Sequence, residues 1–139
     1  ILAQTYFPAK RIVYLFVSSL FVVYKVCWFV YKNGVPRKTK FAIRHPVNFR
    51  NDGNFSKILG STRIETNTLH GQGIAEVGNR LVIDGWASDG TPEALYVKDA
   101  AGYTNSVQWH PEWNAENDAV SKLLFEAFGE AVRDYGNAK

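Results

Sequence analysis

A histidine and a carboxylate two residues apart are the side chains of this sequence best suited to acid–base chemistry. His110 and Glu112 flank Pro111, directly after a stretch that predicts a strand over residues 105–109. Side chains at i and i+2 of an extended segment share one side, and proline stiffens the backbone between them. A carboxylate fixes the tautomer of a neighbouring imidazole and stabilises the imidazolium, so His110 could act as a general base. The alternative is a histidine that merely ends a strand.

Metal and cofactor chemistry is not expected. His45, His70 and His110 lack the short spacing typical of metal-binding helices. Cys27 is the single cysteine, which excludes an intrachain disulfide and a cysteine-based metal site. A lone cysteine fits a reducing compartment, so we expect a cytoplasmic protein without a cofactor.

The elements that would position His110 and Glu112 are predicted from residue 41 onward. Apolar residues over 120–135 recur at i, i+3, i+4 and i+7, which predicts an amphipathic helix that Asn114 or Asn117 caps and Gly136 ends. Upstream of it, the turn residues and apolar runs predict a strand over 46–50, a short helix over 55–59 capped by Asn54 and ended by Gly60, a strand over 63–67, and a hairpin of strands 81–87 and 93–98.

The first 40 residues differ in character from the rest. Residues 12–31 form an apolar run of about 20 residues, the length of one membrane crossing. Lys25 inside the run would cost about 3 kcal/mol at the bilayer centre, and its valines and aromatic residues favour strands. Buried strands or a non-native extension are therefore favoured, with a membrane helix as the alternative. Residues 32–40 read as a linker, which divides the chain into segments 1–40 and 41–139.

Length and charge narrow the class of protein further. A chain of 139 residues suits one domain at most. The net charge is +3, the pI is about 9.0, and basic residues cluster between Lys32 and Arg50. This cluster lacks the interleaved aromatic motif of RNA-binding modules, so no nucleic-acid partner is expected.

Three blocks in a characteristic order resemble one enzyme family. They are NTLHGQG at 67–73, SDGTPEA at 88–94 and VQWHPEW at 107–113. Together with His45 they resemble the C-terminal half of the glutamine amidotransferase-like hydrolases, and most closely the gamma-glutamyl-gamma-aminobutyrate hydrolase group within the gamma-glutamyl hydrolase-like cysteine peptidases. The resemblance implies an α/β chain, the C-terminal part of a three-layer α/β/α (flavodoxin-like) fold over residues 41–139.

The resemblance also implies a mechanism and a site. Members of the family hydrolyse a gamma-glutamyl amide through a thioester on the cysteine of a Cys-His-Glu triad. His110 would be its base and Glu112 the residue that orients it, while His70 and Gln72 would lie close to a small gamma-glutamyl substrate. Glu93 is expected to order the hairpin beside the site.

The nucleophile is where the sequence departs from the family. The family places its cysteine in a tight glycine-flanked turn, whereas Cys27 is followed by Trp28 and Phe29 and precedes His45 by only eighteen residues. Cys27 therefore reads as a buried structural cysteine, and the chain as a fragment that is inactive alone. The alternative function is a non-catalytic binding remnant, tethered to a membrane by residues 12–31.

The resemblance to a C-terminal half also bears on partners. A half-sheet would leave an open edge and an uncovered apolar face. We therefore expect a homodimer, pairing with a missing N-terminal half, or residues 12–31 packed in as replacement strands.

Overall fold

A six-stranded sheet forms the framework of the described part of the chain. In this computed structural model, the described residues are 16–17, 45–68, 70, 73–74 and 76–138. The strands are β1 (Phe16–Val17), β2 (His45–Phe49), β3 (Arg63–Thr66), β4 (Leu81–Ala87), β5 (Pro92–Val97) and β6 (Ser106–Val107). The helices are α1 (Asn54–Leu59) and α2 (Ala119–Asn137), and a 3₁₀ turn spans Pro111–Asn114.

The strand order is β1-β6-β5-β4-β2-β3. The pairing of β1 with β6 is parallel, and the other four pairings are antiparallel. Strands β4 and β5 form the predicted hairpin, within one residue of the predicted bounds. The α/β class predicted from the sequence is confirmed, and the described sheet is mainly antiparallel.

One apolar cluster joins the sheet to both helices. Val47 and Phe49 share one side of β2, as alternate residues of a strand do, and pack with Phe55 of α1 and Leu124 of α2. The rings of Phe49 and Phe55 stack with centroids 5.6 Å apart, and Trp109 meets both edge-on at 6.4 Å. Trp109 directly precedes His110, so the core fixes the chain at the point where it enters the candidate site.

The start of α1 is capped from another strand. Sequence reasoning assigned the cap to Asn54, which is wrong, because the helix begins at Asn54 and its N-cap residue is Gly53. The carboxylate of Asp84, from β4, accepts a hydrogen bond from the backbone N–H of Phe55 at 2.8 Å. Asp84 is fully buried, and a Cβ at Gly53 would lie 2.0 Å from its Oδ1. The prediction for the other end is confirmed, since Gly60 closes α1 with a left-handed φ of 64°.

The long helix α2 also begins and ends differently from prediction. Its N-cap is Asp118, whose side chain accepts from the backbone N–H of Ser121 at 2.8 Å, so caps at Asn114 or Asn117 are wrong. The helix continues through Gly136 to Asn137. The strand predicted over 105–109 is shorter as well, because only Ser106 and Val107 pair in the sheet before the chain turns toward the 3₁₀ segment.

Of the N-terminal segment, residues 1–40, the structure describes only β1. Phe16 pairs with Ser106 and Val17 with Val107, which places these two residues at the edge of the sheet beside β6. The other residues of 12–31, including Cys27, lie outside the described residues. None of the helices in the described ranges is both long and apolar enough to cross a lipid bilayer. The boundary at residue 40, the replacement-strand interpretation, the dimer and the cytoplasmic location stay predictions.

Gly85 offers a direct test of the core. A Cβ there would lie 2.6 Å from the ring of Phe49 and 3.1 Å from the Cβ of Ala94, and the stacked, buried ring of Phe49 has no room to retreat. We expect Gly85→Ala to lower the free energy of unfolding by about 1–3 kcal/mol, the usual cost of overpacking. Urea denaturation measures the change.

Gly78→Ala is the matched control, because a Cβ at Gly78 would meet no atom of the described residues within 4 Å. This control should change stability by no more than about 0.5 kcal/mol. Equal stabilities for the two variants would contradict the packing of β2 against β4.

Candidate functional site

The candidate site is centred on a hydrogen bond between His110 and Glu112. His110 Nδ1 lies 2.7 Å from Glu112 Oε1, a length typical of a charge-assisted bond. The side chains are 34% and 54% exposed, so the pair faces solvent. The predicted extended geometry is wrong in detail. Glu112 lies in the 3₁₀ turn that follows His110, and this turn, rather than strand alternation, brings its carboxylate back to the ring.

The bond fixes which ring nitrogen can accept a proton. An ionised carboxylate can only accept hydrogen bonds, so His110 Nδ1 must carry a hydrogen. In the neutral imidazole the other nitrogen, Nε2, is then an acceptor. A ring in this state can take a proton from a thiol or a water molecule at Nε2, while Glu112 stabilises the resulting imidazolium.

The backbone of His110 is held by a residue that sequence reasoning did not single out. Asn67 follows β3 and is 7% exposed. Its Nδ2 donates to the carbonyl oxygen of His110 at 2.8 Å, and its Oδ1 accepts from the backbone N–H of His110 at 2.9 Å. The two residues are 43 positions apart, so no local pattern in the sequence could have linked them.

A buried carboxylate organises the second part of the site. Glu93 of β5 is 1% exposed, and its Oε1 lies 3.1 Å from His45 Nε2 and 3.3 Å from His70 Nε2. Thr68 Oγ1 also lies 3.2 Å from His70 Nε2. Glu93 was expected to order its own hairpin. Its side chain instead joins strand β2 to the loop that carries His70.

The charge of Glu93 depends on these partners. Burial alone would raise the pKa of the Glu93 carboxyl, but hydrogen bonds and charge interactions with His45 and His70 outweigh it and hold the pKa below its ordinary value. The second oxygen, Oε2, is buried and has no hydrogen-bond partner among the described residues. A buried charge needs compensation, so the two imidazoles are the groups that allow Glu93 to stay ionised.

The predicted site residues are thus distributed over two linked clusters. His110 and Glu112 form one, and His70 belongs to the other, where Glu93 and His45 join it. The backbone also links the clusters, since the N–H of Gln108 donates to the carbonyl of Glu93 at 2.8 Å. Gln72 and Cys27 lie outside the described residues. Within the described ranges, no group of three or more His, Cys, Asp or Glu side chains could hold a metal ion.

Comparison with known proteins decides the family. The model of the peptidase C26 family matches residues 25–112. The chain belongs to the peptidase C26 family. It is 37% identical over 95 residues to the gamma-glutamyl-gamma-aminobutyrate hydrolase of Escherichia coli K12, covering 68% of this chain and 37% of that enzyme. A proposed glutamine amidotransferase-like protein of Rickettsia prowazekii is 31% identical over 102 residues, covering 73% of this chain and 36% of the relative.

A solved structure supports the fold. A crystal structure of a proposed GMP synthase component from Thermoplasma acidophilum superposes with a TM-score of 0.57 at 15% identity, covering 70% of this chain and 47% of that chain. The likeness confirms the glutamine amidotransferase fold inferred from the three sequence blocks. The C26 chain described here spans a little over a third of the length of the curated relatives it matches, 37% for the Escherichia coli enzyme.

The pairing of Glu93 predicts a pH-dependent contribution to stability. Because its folded-state pKa is lowered, the contribution is complete above the ordinary pKa of 4.5 and is lost as the pH falls through the folded-state value. We expect Glu93→Gln to lower the free energy of unfolding by about 1–3 kcal/mol at neutral pH. The variant should also lose less stability than the unmodified protein as the pH falls below 4.5. Urea denaturation at a series of pH values measures both effects.

Glu65→Gln is the control for this experiment. Glu65 is paired with Arg63 at 3.3 Å, but both side chains are about half exposed or more, at 49% and 61%. Removing such a surface pair should cost about 0–1 kcal/mol. If Glu93→Gln has the stability of the unmodified protein at neutral pH and loses stability at low pH to the same extent, Glu93 is not a buried, ionised partner of the two histidines.

Proposed function

We propose that this chain is the C-terminal catalytic part of a gamma-glutamyl amide hydrolase, with His110 as the general base and Glu112 as the residue that orients it. The observation that carries the proposal is the 2.7 Å contact between His110 Nδ1 and Glu112 Oε1, in a chain of the peptidase C26 family. The identity to a gamma-glutamyl-gamma-aminobutyrate hydrolase supports a small gamma-glutamyl compound as the substrate.

The geometry suits the steps of thioester hydrolysis. A thiol gives its proton to His110 Nε2, and the thiolate attacks the carbonyl carbon of the gamma-glutamyl amide. When the carbon–nitrogen bond breaks, the imidazolium returns that proton to the leaving amine, and a thioester remains. Water then loses a proton to the neutral ring and attacks the thioester carbon. When the carbon–sulfur bond breaks, glutamate is released and the imidazolium returns its proton to the sulfur, which restores the thiol. Glu112 holds the ring in the tautomer that each transfer needs.

We propose that the substrate lies on the side of the site where His70 is found. The ring of His70 is 20% exposed, so part of it is accessible, while its Nε2 is held against Glu93. Gln72, two residues further along, is proposed as a second contact on the strength of the family resemblance. Both would bind the substrate rather than take part in bond making.

Cys27 is not proposed as the nucleophile. Trp28 and Phe29 follow it, where the tight turn that exposes a nucleophile needs a small residue. Another part of an intact protein of this kind would supply the thiol. The alternative function, a binding remnant without catalysis, also gives Cys27 no catalytic role. The hydrolase and the binding remnant differ in whether His110 acts as a general base once a thiol is provided.

The first experiment tests the 139-residue chain by itself. Incubation with gamma-glutamyl-gamma-aminobutyrate should release no glutamate above the blank, because the proposal gives Cys27, the single cysteine of the chain, no catalytic role. The variant Cys27→Ala should behave in the same way. Release of glutamate that Cys27→Ala abolishes would overturn the assignment.

The second experiment supplies the missing thiol. The matching 95-residue segment of the Escherichia coli hydrolase is replaced by that of this chain, and gamma-glutamyl amide hydrolysis is measured. We expect activity, and a loss of about 10²–10⁴-fold in kcat with His110→Ala, the usual contribution of a general base. Glu116→Gln, an exposed carboxylate just beyond the 3₁₀ turn, should change nothing.

A thermal transition establishes that each chimera folds. A folded but inactive chimera would favour the binding remnant over the hydrolase, and an active chimera whose activity survives His110→Ala would overturn the role of His110 as the general base.

A further inference from the structure

We propose that Asn67 is a positioning residue that sets the orientation of the His110–Glu112 pair through the backbone of His110. The proposal depends on the proposed function only for the role of His110 as a base. The positioning of His110 by Asn67 is a property of the folded chain and is tested without measuring turnover. The positioning role and the proposed hydrolase function can therefore fail independently.

The side-chain amide of Asn67 is matched to both polar groups of the His110 backbone. A carboxamide presents one donor and one acceptor side by side. Its Nδ2 donates at 2.8 Å to the carbonyl of His110, and its Oδ1 accepts at 2.9 Å from the N–H of the same residue. An aspartate could make only the second bond, and an alanine neither. Asn67 is buried, so loss of the Oδ1 bond would take from the N–H of His110 the partner that Asn67 provides, and loss of the Nδ2 bond would remove one hydrogen bond from the carbonyl of His110.

The carbonyl that Asn67 holds is also where the 3₁₀ turn begins. The oxygen of His110 accepts a second hydrogen bond from the backbone N–H of Trp113, at 3.3 Å. This bond closes the turn that contains Glu112. The position of the carbonyl therefore determines both where the imidazole starts and where the carboxylate returns to it, and Asn67 acts on the 2.7 Å contact through this one oxygen atom.

Asn67 also connects His110 to the part of the site that contains His70. Thr68 follows it directly, and His70, three residues on, is bound to Glu93 at 3.3 Å. The segment from Asn67 to His70 is thus held to His110 at one end and to the sheet at the other. Movement of this segment would separate the base from the histidine proposed to face the substrate.

Nuclear magnetic resonance on the intact chain tests the proposal. In the unmodified protein we expect a scalar coupling across the hydrogen bond from the His110 amide nitrogen to the side-chain carbonyl carbon of Asn67. We also expect widely separated ¹⁵N shifts for the two ring nitrogens of His110 at alkaline pH, with the hydrogen on Nδ1. Absence of the coupling overturns the proposal even if no variant folds.

The variants then separate positioning from a general structural role. Asn67→Ala should speed hydrogen exchange of the His110 amide by about tenfold, as expected for one lost hydrogen bond, and bring the two ring shifts together as the tautomers mix. Asn67→Asp should preserve amide protection but still disturb the ring, because it cannot donate to the carbonyl.

Asn105→Ala provides the matched control, since Asn105 is an equally buried amide, 5% exposed, just before β6. This variant should leave the ring signals of His110 unchanged. If Asn67→Ala lowers the melting temperature but leaves the ring shifts as they are, or if Asn105→Ala moves them as much, Asn67 is only a structural residue.

Discussion

The arrangement of the site depends on one constraint, which is that the carboxylate of Glu93 is buried in the sheet and must be compensated there. An unpaired ionised group with 1% exposure would be far too costly in free energy. Its compensation comes from His45 on β2 and His70 in the loop after β3, so the charge ties to β5 both a loop and a strand that lies beyond β4 in the sheet. The backbone carbonyl of the same residue accepts from Gln108, two residues before His110. Glu93 thereby fixes the approach to the base as well as the loop opposite it.

From that anchored framework, a short series of hydrogen bonds leads to the solvent-facing pair. Asn67 holds both backbone polar groups of His110, the same carbonyl starts the 3₁₀ turn, and the turn carries Glu112 back to Nδ1. Trp109 adds a second restraint, because it is 1% exposed and packs against the stacked phenylalanines of the core. A histidine that is one-third exposed can therefore have a defined tautomer and direction, which is what general-base catalysis requires.

Features with a local cause could be predicted from the sequence, and features that depend on distant residues could not. The helix α2, the β4–β5 hairpin and the glycine at the end of α1 each express backbone or periodicity preferences, and each is present. The apolar stripe of α2 is buried only in part, since Leu124 is buried but Leu123 and Val132 are 38% and 46% exposed. The cap of α1 was missed because it comes from Asp84, 29 residues away from Phe55. Capping residues near α2 were misplaced because several polar residues at its start fit the same preference.

The candidate site shows the same division. The proximity of His110 and Glu112 follows from their spacing, although a turn and not an extended strand brings them together. The family blocks drew attention to His70 but gave no indication that it is bound to Glu93, or that His45 shares that carboxylate. Asn67 lies within one of those blocks, yet its partner is 43 residues away. Only the folded chain shows which of the block residues bind each other.

The central claim is that His110 and Glu112 together form the general base for a thiol that Cys27 does not provide. The most direct measurement is the rate at which iodoacetamide alkylates Cys27 across pH, with and without His110→Ala. The prediction is that alkylation is slow at neutral pH, becomes faster only at alkaline pH, as for a thiol without an activating base, and is unchanged by the substitution. Rapid alkylation at neutral pH that His110→Ala slows by about tenfold or more would contradict the claim, because it would show an imidazole activating that thiol.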